Sequence, residues 1–299
     1  LKYKAEKVFR QRTAFLEQIN IMSASDTSTN LDQLFAAIDN NEIPLPAMPD
    51  LAIKIQKMLS DVNSSTQKIA ALVSTDPVLA SQVIKTANSA LYIGKTKVET
   101  VPAAVSRIGF QMLRNIIMTF TMNKLSTTTH PIVKKLIDEF WAHSRDVAAI
   151  SYVLAKNHRN LNQDEAMMAG LIHDIGTLPL CLYAEKMVQN LDESSLRTLL
   201  EKYRAIIGNK LLTDWKFPSE ITEVMLGHED LQREADDSIA SYVDIVTVAN
   251  ILNPTTTKTF NWESVRAVKS LNFTQETCQS FFEIFENQLR AAKEMFNKG

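Results

Sequence analysis

An all-α fold is predicted because apolar residues recur at three- and four-residue spacing almost throughout, with almost none of the polar/apolar alternation that marks a strand. The seven glycines are scattered, which also argues against sheets. At 299 residues the chain exceeds the usual size of one core. One large helical body or two packed subdomains are both open, and two is the starting expectation.

The elements follow in order. Residues 1–22 form one charged amphipathic helix whose basic cluster, Lys2, Lys4, Lys7, Arg10 and Arg12, is interleaved with Glu6 and Glu17 and reads as a solvated face. The small polar run at 23–30 is a linker, so residues 1–30 stand apart as a helix and its tether. A helical block follows at 31–123. Its clearest start is Asp76-Pro77, an N-cap with proline at the first helical position, and the helix runs on through Leu79, Val83 and Ile84. A second small polar run at 124–131 separates it from a longer block at 132–299, where Lys216-Phe217-Pro218 is expected to start a helix in the same way.

Hydrophobic residues make up 45% and charged residues 22%, the balance of a chain that buries a real core. A formal net charge of −2 gives no overall attraction to phosphate backbones or anionic lipid, so neither nucleic acid nor a membrane is an expected partner. Cys181 and Cys278 are far apart and form no CxxC, which fits a reducing, cytoplasmic setting. No apolar run approaches the roughly 20 residues of a spanning helix. The chain opens at Leu1 rather than Met, leaving room for an upstream segment.

Polar residues interrupt several apolar stripes. From 132 to 156 the stripe is Val133, Leu136, Phe140, then His143, then Val147, Ile150 and Leu154. Ala166, Ala169 and Gly170 lead on one face to His173, with Asp174 next. Ile221, Val224 and Met225 lead to His228, and Ile239, Val243 and Val246 lead to Asn250. An unpaired buried polar group costs on the order of 1–3 kcal/mol, so each needs partners. Singly, each reads as a hydrogen-bonded core residue. Together, three imidazoles, a carboxylate and an amide from separate helices are the kind of set that holds a metal or a polar ligand.

The run Gly170-Leu-Ile-His173-Asp174-Ile-Gly176, about thirty residues after His143, resembles the HD superfamily of metal-dependent phosphohydrolases. The first block narrows this. Ile43-Pro-Leu-Pro-Ala-Met-Pro49, Val73-Ser-Thr-Asp76-Pro77, Thr86-Ala-Asn88-Ser89-Ala90-Leu-Tyr92 and Ala103-Ala-Val-Ser-Arg-Ile-Gly109 look like the HDOD family, the HD-related output domain of bacterial signalling proteins. The motifs span roughly 43–252; residues 1–40 and 260–299 lie outside them. The resemblance implies a helical HD-like bundle packed against an N-terminal helical subdomain.

It also implies a metal site at His143, His173 and Asp174, with a fourth ligand position that falls on Asn250. An amide oxygen is a neutral and weaker ligand than a carboxylate for a hard cation. Asp244 cannot replace it, being roughly 120° around the helix. Thr177 stands where many HD enzymes carry a phosphate-binding lysine. Arg204 stands where two-metal relatives such as the HD-GYP phosphodiesterases carry a histidine; it would repel a second cation and can pair with Asp174 instead. His228 keeps a ligand-type side chain.

These departures imply a vestigial metal site. No catalytic residue and no cofactor are expected, and at most a weakly held Mn, Fe, Ni or Zn. The reading is a non-catalytic signal-transduction or adaptor domain with a protein partner in a signalling pathway, and with a small anionic or nucleotide ligand near Arg204. The alternative is a mononuclear phosphohydrolase acting on a nucleotide or phosphoester, in which Asn250 still ligates and Thr177 orients the phosphate. A third reading is a nucleotide-binding module that uses Arg204 and the histidines without metal.

Overall fold

The computed structural model describes residues 40, 45–60, 65–92, 94, 96–187, 192–234, 239–256 and 261–296. The expected helix at 1–22, its linker and the first residues of the block that follows lie outside the described residues. Among those described there is no strand, and the all-α expectation holds.

The first helices are α1 (Asp50–Ser60), α2 (Thr66–Val73), α3 (Pro77–Ala87) and α4 (Val101–Leu125). Asp76 caps α3 as expected, accepting from the backbone N–H groups of Val78 and Leu79 at 3.0 and 3.2 Å, with Pro77 in the first turn. Leu79 and Val83 are fully buried and Ile84 partly so. Within α4 the backbone breaks at Gly109, whose φ of 79° suits a residue without Cβ.

The second block runs α5 (Pro131–Ala155), α6 (Gln163–Ile172), α7 (Thr177–Met187), α8 (Glu193–Asp214), α9 (Ser219–Gly227) and α10 (Tyr242–Leu252). Lys216-Phe217 ends α8 and does not start α9. Lys216 adopts φ 56° and the Phe217 N–H reaches back to the Leu212 carbonyl at 3.0 Å, the closure of a left-handed helix stop. Pro218 takes the cap position of α9 and has no side-chain acceptor to offer, unlike Asp76. Ile239 also departs from its expected core place. It is 60% exposed and precedes α10, which starts only at Tyr242 under a capping box of Ser241 and Asp244.

The stretch Gln163–Lys186, joining α6 and α7 through a short turn, is long and apolar enough to cross a membrane, more than the sequence alone indicated. Its most apolar window is 89% buried inside the protein, so this apolar surface is covered by neighbouring helices. A short 3₁₀ turn at Trp262–Ser264 leads to α11 (Arg266–Ser270), α12 (Gln275–Gln279), α13 (Phe281–Ile284) and α14 (Glu286–Glu294). These residues lie outside the sequence motifs yet join the core through Phe281 and Leu289, and Lys293 pairs with Asp146 of α5 at 2.7 Å.

Buried apolar side chains form one continuous cluster through both blocks. Polar ties cross between them at the N-terminal turn of α6. Tyr92 donates to Asp164 Oδ1 at 3.0 Å, and the Asn115 amide donates to the Asp164 carbonyl at 2.6 Å. Trp215 donates to the Pro46 carbonyl at 3.1 Å.

Candidate metal centre

Two close helix approaches bring the polar residues together. A Cβ on Gly170 would lie 2.6 Å from Ser151 Oγ and 2.9 Å from the Ala148 Cα, so the missing side chain lets α6 lie against α5. Gly176, just before α7, is tighter still: a Cβ there would sit 2.0 Å from the Arg204 carbonyl oxygen and 2.6 Å from the Gly208 nitrogen. The first contact sets His173 beside His143, and the second sets Asp174 beside Arg204.

His143 and His173 point their Nε2 atoms at each other, 3.2 Å apart. The other nitrogen of His173 lies 2.8 Å from the Gly170 carbonyl, and that of His228 lies 2.8 Å from the Val224 carbonyl. A carbonyl can only accept, so both Nδ1 atoms carry the proton and the Nε2 atoms face the pocket. His143 then donates through Nε2 and accepts at Nδ1, where the Asn253 amide lies at 3.3 Å and the Thr255 hydroxyl at 3.4 Å. Asp174 lies between the remaining groups, with Oδ2 3.6 Å from His173 Nε2 and Oδ1 3.5 Å from His228 Nε2. His228 Nε2 is buried and makes no hydrogen bond of normal geometry. Arg204 donates from Nε to Asp174 Oδ1 at 2.9 Å and closes a tight ion pair with Glu229.

The structure thus brings five of the seven predicted residues into one cluster: His143, His173, Asp174, Arg204 and His228. Asn250, half-buried on α10, lies within hydrogen-bonding reach of His143. Thr177 is buried as the first residue of α7, and its N–H donates to the Asp174 carbonyl at 3.0 Å. Among the described residues no hydrogen bond joins its side chain to the cluster. Asp244 is turned away, as its angle on the helix requires. It is held instead by Arg266 at 2.6 Å, Arg233 at 3.1 Å and Ser241. Sequence reasoning missed Asn253, Thr255 and Glu229.

Electrostatics divide the cluster. Burial pushes the His173 imidazole down to about 3, despite Asp174 beside it, and lowers His143 as well. Both are neutral at pH 7. Burial alone would raise Asp174, but His228, which gains affinity for a proton beside it, and the Arg204 guanidinium outweigh it and hold the carboxyl well below its usual range. For His228, burial is outweighed by Asp174 and Glu229, so its affinity for a proton rises.

These directions fix a pH dependence. Unfolded His173 takes a proton near its ordinary value of 6.5, whereas folded His173 resists until about 3. Its contribution to stability is therefore complete above pH 6.5 and is lost as pH falls towards 3. Asp174 acts in the same sense lower down, below 3.8. His228 contributes oppositely, its share being lost as pH rises through its folded value. With a chelator present, the melting temperature is expected to fall steadily from pH 6.5 to 4. His173→Gln should flatten that slope, and an unchanged slope would remove His173 as its cause.

The donor set fits one cation and not two. Ligand atoms of His143, His173 and Asp174 all lie within 4.8 Å of one another. Two ligands each about 2.1 Å from a shared ion stand roughly 3.0–3.4 Å apart, which the two imidazole nitrogens match. On the far side of Asp174 the position a second cation would share is taken by a fixed guanidinium.

The chain is 27% identical to a proposed metal-dependent phosphohydrolase from Shewanella amazonensis SB2B, whose structure superimposes with a TM-score of 0.76 over 91% of this chain and 99% of that one. It shares its fold with an HDOD domain protein of unknown function from Geobacter sulfurreducens (22% identity, 84% and 92% coverage, TM-score 0.59). The fold also recurs in a proposed signal transduction protein from Marinobacter aquaeolei VT8 (21%, 91% and 67%, TM-score 0.63). An uncharacterised protein of Treponema pallidum (strain Nichols) is 22% identical over 236 residues, 76% of this chain, which spans 45% of that protein. The HDOD domain itself matches residues 45–231, more than half of the chain, and the protein belongs to the HDOD family.

Proposed function

We propose that the protein is a non-catalytic, cytoplasmic, bacterial signal-transduction or adaptor domain whose histidine–aspartate pocket is a degenerate metal site. The observation that carries this reading is the Arg204 guanidinium, seated on Asp174 and Glu229 at the mouth of the pocket. A cation, when bound, would be held by His143, His173 and Asp174 with the Asn250 amide, and would supply Lewis acidity and a hydroxide. Arg204 works against this by competing for Asp174 and adding positive charge. Thr177 offers a substrate phosphate no cation. A small anionic or nucleotide ligand near Arg204 would have to displace Glu229. The function then rests on recognition of a protein partner in a signalling pathway.

The mononuclear phosphohydrolase is the second reading, favoured by the spacing of His143, His173 and Asp174 and by the proposed activity of the Shewanella relative. Metal content after purification without a metal-affinity step separates the two. Well under one equivalent is expected, with no hydrolysis of cyclic dinucleotides or nucleotide monophosphates above a blank in added manganese. Turnover that vanishes in His173→Ala would overturn the non-catalytic reading.

Asn250→Asp tests the missing ligand directly. The added carboxylate should raise manganese affinity about tenfold or more by calorimetry, since a charged oxygen is the better partner of a hard cation. Activity should not follow, because Thr177 and Arg204 are unchanged. If affinity stays at the parent value in a folded variant, the pocket is a hydrogen-bonded core and not a decayed metal site.

A further inference from the structure

Beyond α10 the chain turns through Asn253-Pro254-Thr255-Thr256, and the Thr256 N–H returns to the Asn253 carbonyl at 2.9 Å. Asparagine before proline favours such a turn, because its side-chain oxygen accepts from the backbone two residues on and proline presets its own φ. Here Asn253 Oδ1 accepts from the Thr255 N–H at 3.0 Å and from the Thr255 hydroxyl at 2.9 Å. A backbone N–H can only donate, so the orientation of the amide is fixed and Nδ2 is the end that faces α5. It lies 3.3 Å from His143 Nδ1 and 3.5 Å from the His143 carbonyl oxygen. Asn253 is 1% exposed, so its N–H groups depend on these acceptors.

The consequence falls on His143. A metal-binding imidazole gives the lone pair of one nitrogen to the ion and donates its other N–H to a carbonyl or carboxylate. His173 and His228 are set in that way, each Nδ1–H aimed at a carbonyl of the helix before it, Gly170 and Val224, 2.8 Å away. His143 is reversed. Its Nδ1 meets an N–H donor, which keeps the lone pair there and puts the proton on Nε2, the atom 3.2 Å from His173 Nε2. Moving that proton to Nδ1 would set N–H against N–H and leave a buried donor unmatched. The Thr255 hydroxyl, 3.4 Å from Nδ1, can accept or donate and so favours neither arrangement. The distances in the pocket suit a cation, whereas the proton on His143 does not.

We infer that Asn253 is a positioning residue that holds His143 in the tautomer unable to ligate, and so closes the histidine–aspartate pocket to a cation. The inference rests on the reading of that pocket as a degenerate metal site, and it adds an obstacle independent of those at Arg204 and Asn250. Arg204 competes for the carboxylate, whereas Asn253 withholds an imidazole. A cation entering beside His173 has to displace the proton from His143 Nε2, and at Nδ1 that proton meets the Asn253 amide donor, with only the shared Thr255 hydroxyl to accept it. Asn253→Asp keeps an oxygen to cap the turn and replaces the N–H donor by an acceptor. Nδ1 then takes the proton, and Nε2 presents its lone pair to the pocket.

The test is NMR of the full chain with nitrogen-15-labelled histidine, which reads the nitrogen that carries each proton, together with calorimetry of zinc and manganese. In the parent, His143 is expected to carry its proton on Nε2 and His173 on Nδ1. In Asn253→Asp the His143 proton should move to Nδ1, and zinc affinity should rise about tenfold, the scale of one buried donor left unmatched. The uncharged Asn253→Ala should gain in the same direction by a smaller factor, which added charge alone would not give. A parent with the His143 proton on Nδ1, or a folded Asn253→Asp that leaves it on Nε2, would overturn the inference. So would zinc affinity that rises in Asn253→Asp but stays at the parent value in folded Asn253→Ala. The measurement on the parent needs no substitution and reports even where both variants unfold. If the proton moves in Asn253→Asp and neither metal binds better, the hold of Asn253 on His143 stands, and it is the reading of the pocket as a metal site that fails.

Discussion

Arg204→Met is expected to cost roughly 3 kcal/mol of stability and, in the same step, to make the protein responsive to divalent metal. Removing one partner of a buried ion pair typically costs 3–5 kcal/mol, because the other charge is left without compensation. The lower end applies here: the Asp174 and Arg204 side chains are 15% and 19% exposed, and His228 remains beside the carboxylate. In a chain of this size the melting temperature should drop by roughly 6–10 °C. The freed carboxylate then becomes available to a cation together with His143 and His173. Manganese or zinc at 100 times its dissociation constant should return about 2.7 kcal/mol to the variant. The parent should gain far less. Equal stabilisation of both proteins by metal would mean that Arg204 does not obstruct the site, and an unchanged melting temperature would mean that its ion pair contributes little.

That Arg204 would face Asp174 was legible from the sequence, because a residue four before a glycine could be placed against a known motif. The same holds for His143, within an apolar stripe of helical spacing, and for His173 and His228, each at the end of one. Helix starts were legible where the side chain itself makes the cap, as at Asp76, and illegible where proline has no acceptor to contribute, as at Pro218. The stripe leading to Asn250 was drawn one turn too far, to Ile239, because the capping box at Ser241 was not weighed against apolar periodicity. Asn253 escaped notice although a signal was there: it precedes Pro254 three residues after Asn250, at a helix end where an amide turns back on its neighbours. Glu229 carried no signal at all. An exposed acid beside a histidine is ordinary, and only the fold puts it against Arg204.

Gly176→Ala should be as damaging as the loss of Arg204, and for a connected reason. The added methyl would meet the Arg204 carbonyl oxygen at 2.0 Å and the Gly208 nitrogen at 2.6 Å. Both are backbone atoms of α8 and have no rotamer to escape into, so the start of α7 and α8 must separate by more than about 1 Å to reach ordinary contact distance. Overpacking of this kind costs about 1–3 kcal/mol, and a backbone clash on both sides puts it at the top of that range. Gly208→Ala is the milder control. Its Cβ would lie 3.2 Å from the Gly176 nitrogen, with the other near neighbours being the movable side chains of Met225 and Ile175. The separation forced by Gly176→Ala would also draw Arg204 away from Asp174, so the two substitutions should not add. If Gly176→Ala acts through that ion pair, placing it in an Arg204→Met background should cost about 1 kcal/mol less than placing it in the parent, a coupling expected only of residues that share an interaction. Denaturant unfolding of the four proteins measures it. Simple additivity would show that the glycine contact sets helix packing without setting the position of Arg204. A Gly176→Ala variant as stable as the parent would show that α7 and α8 are free to move apart.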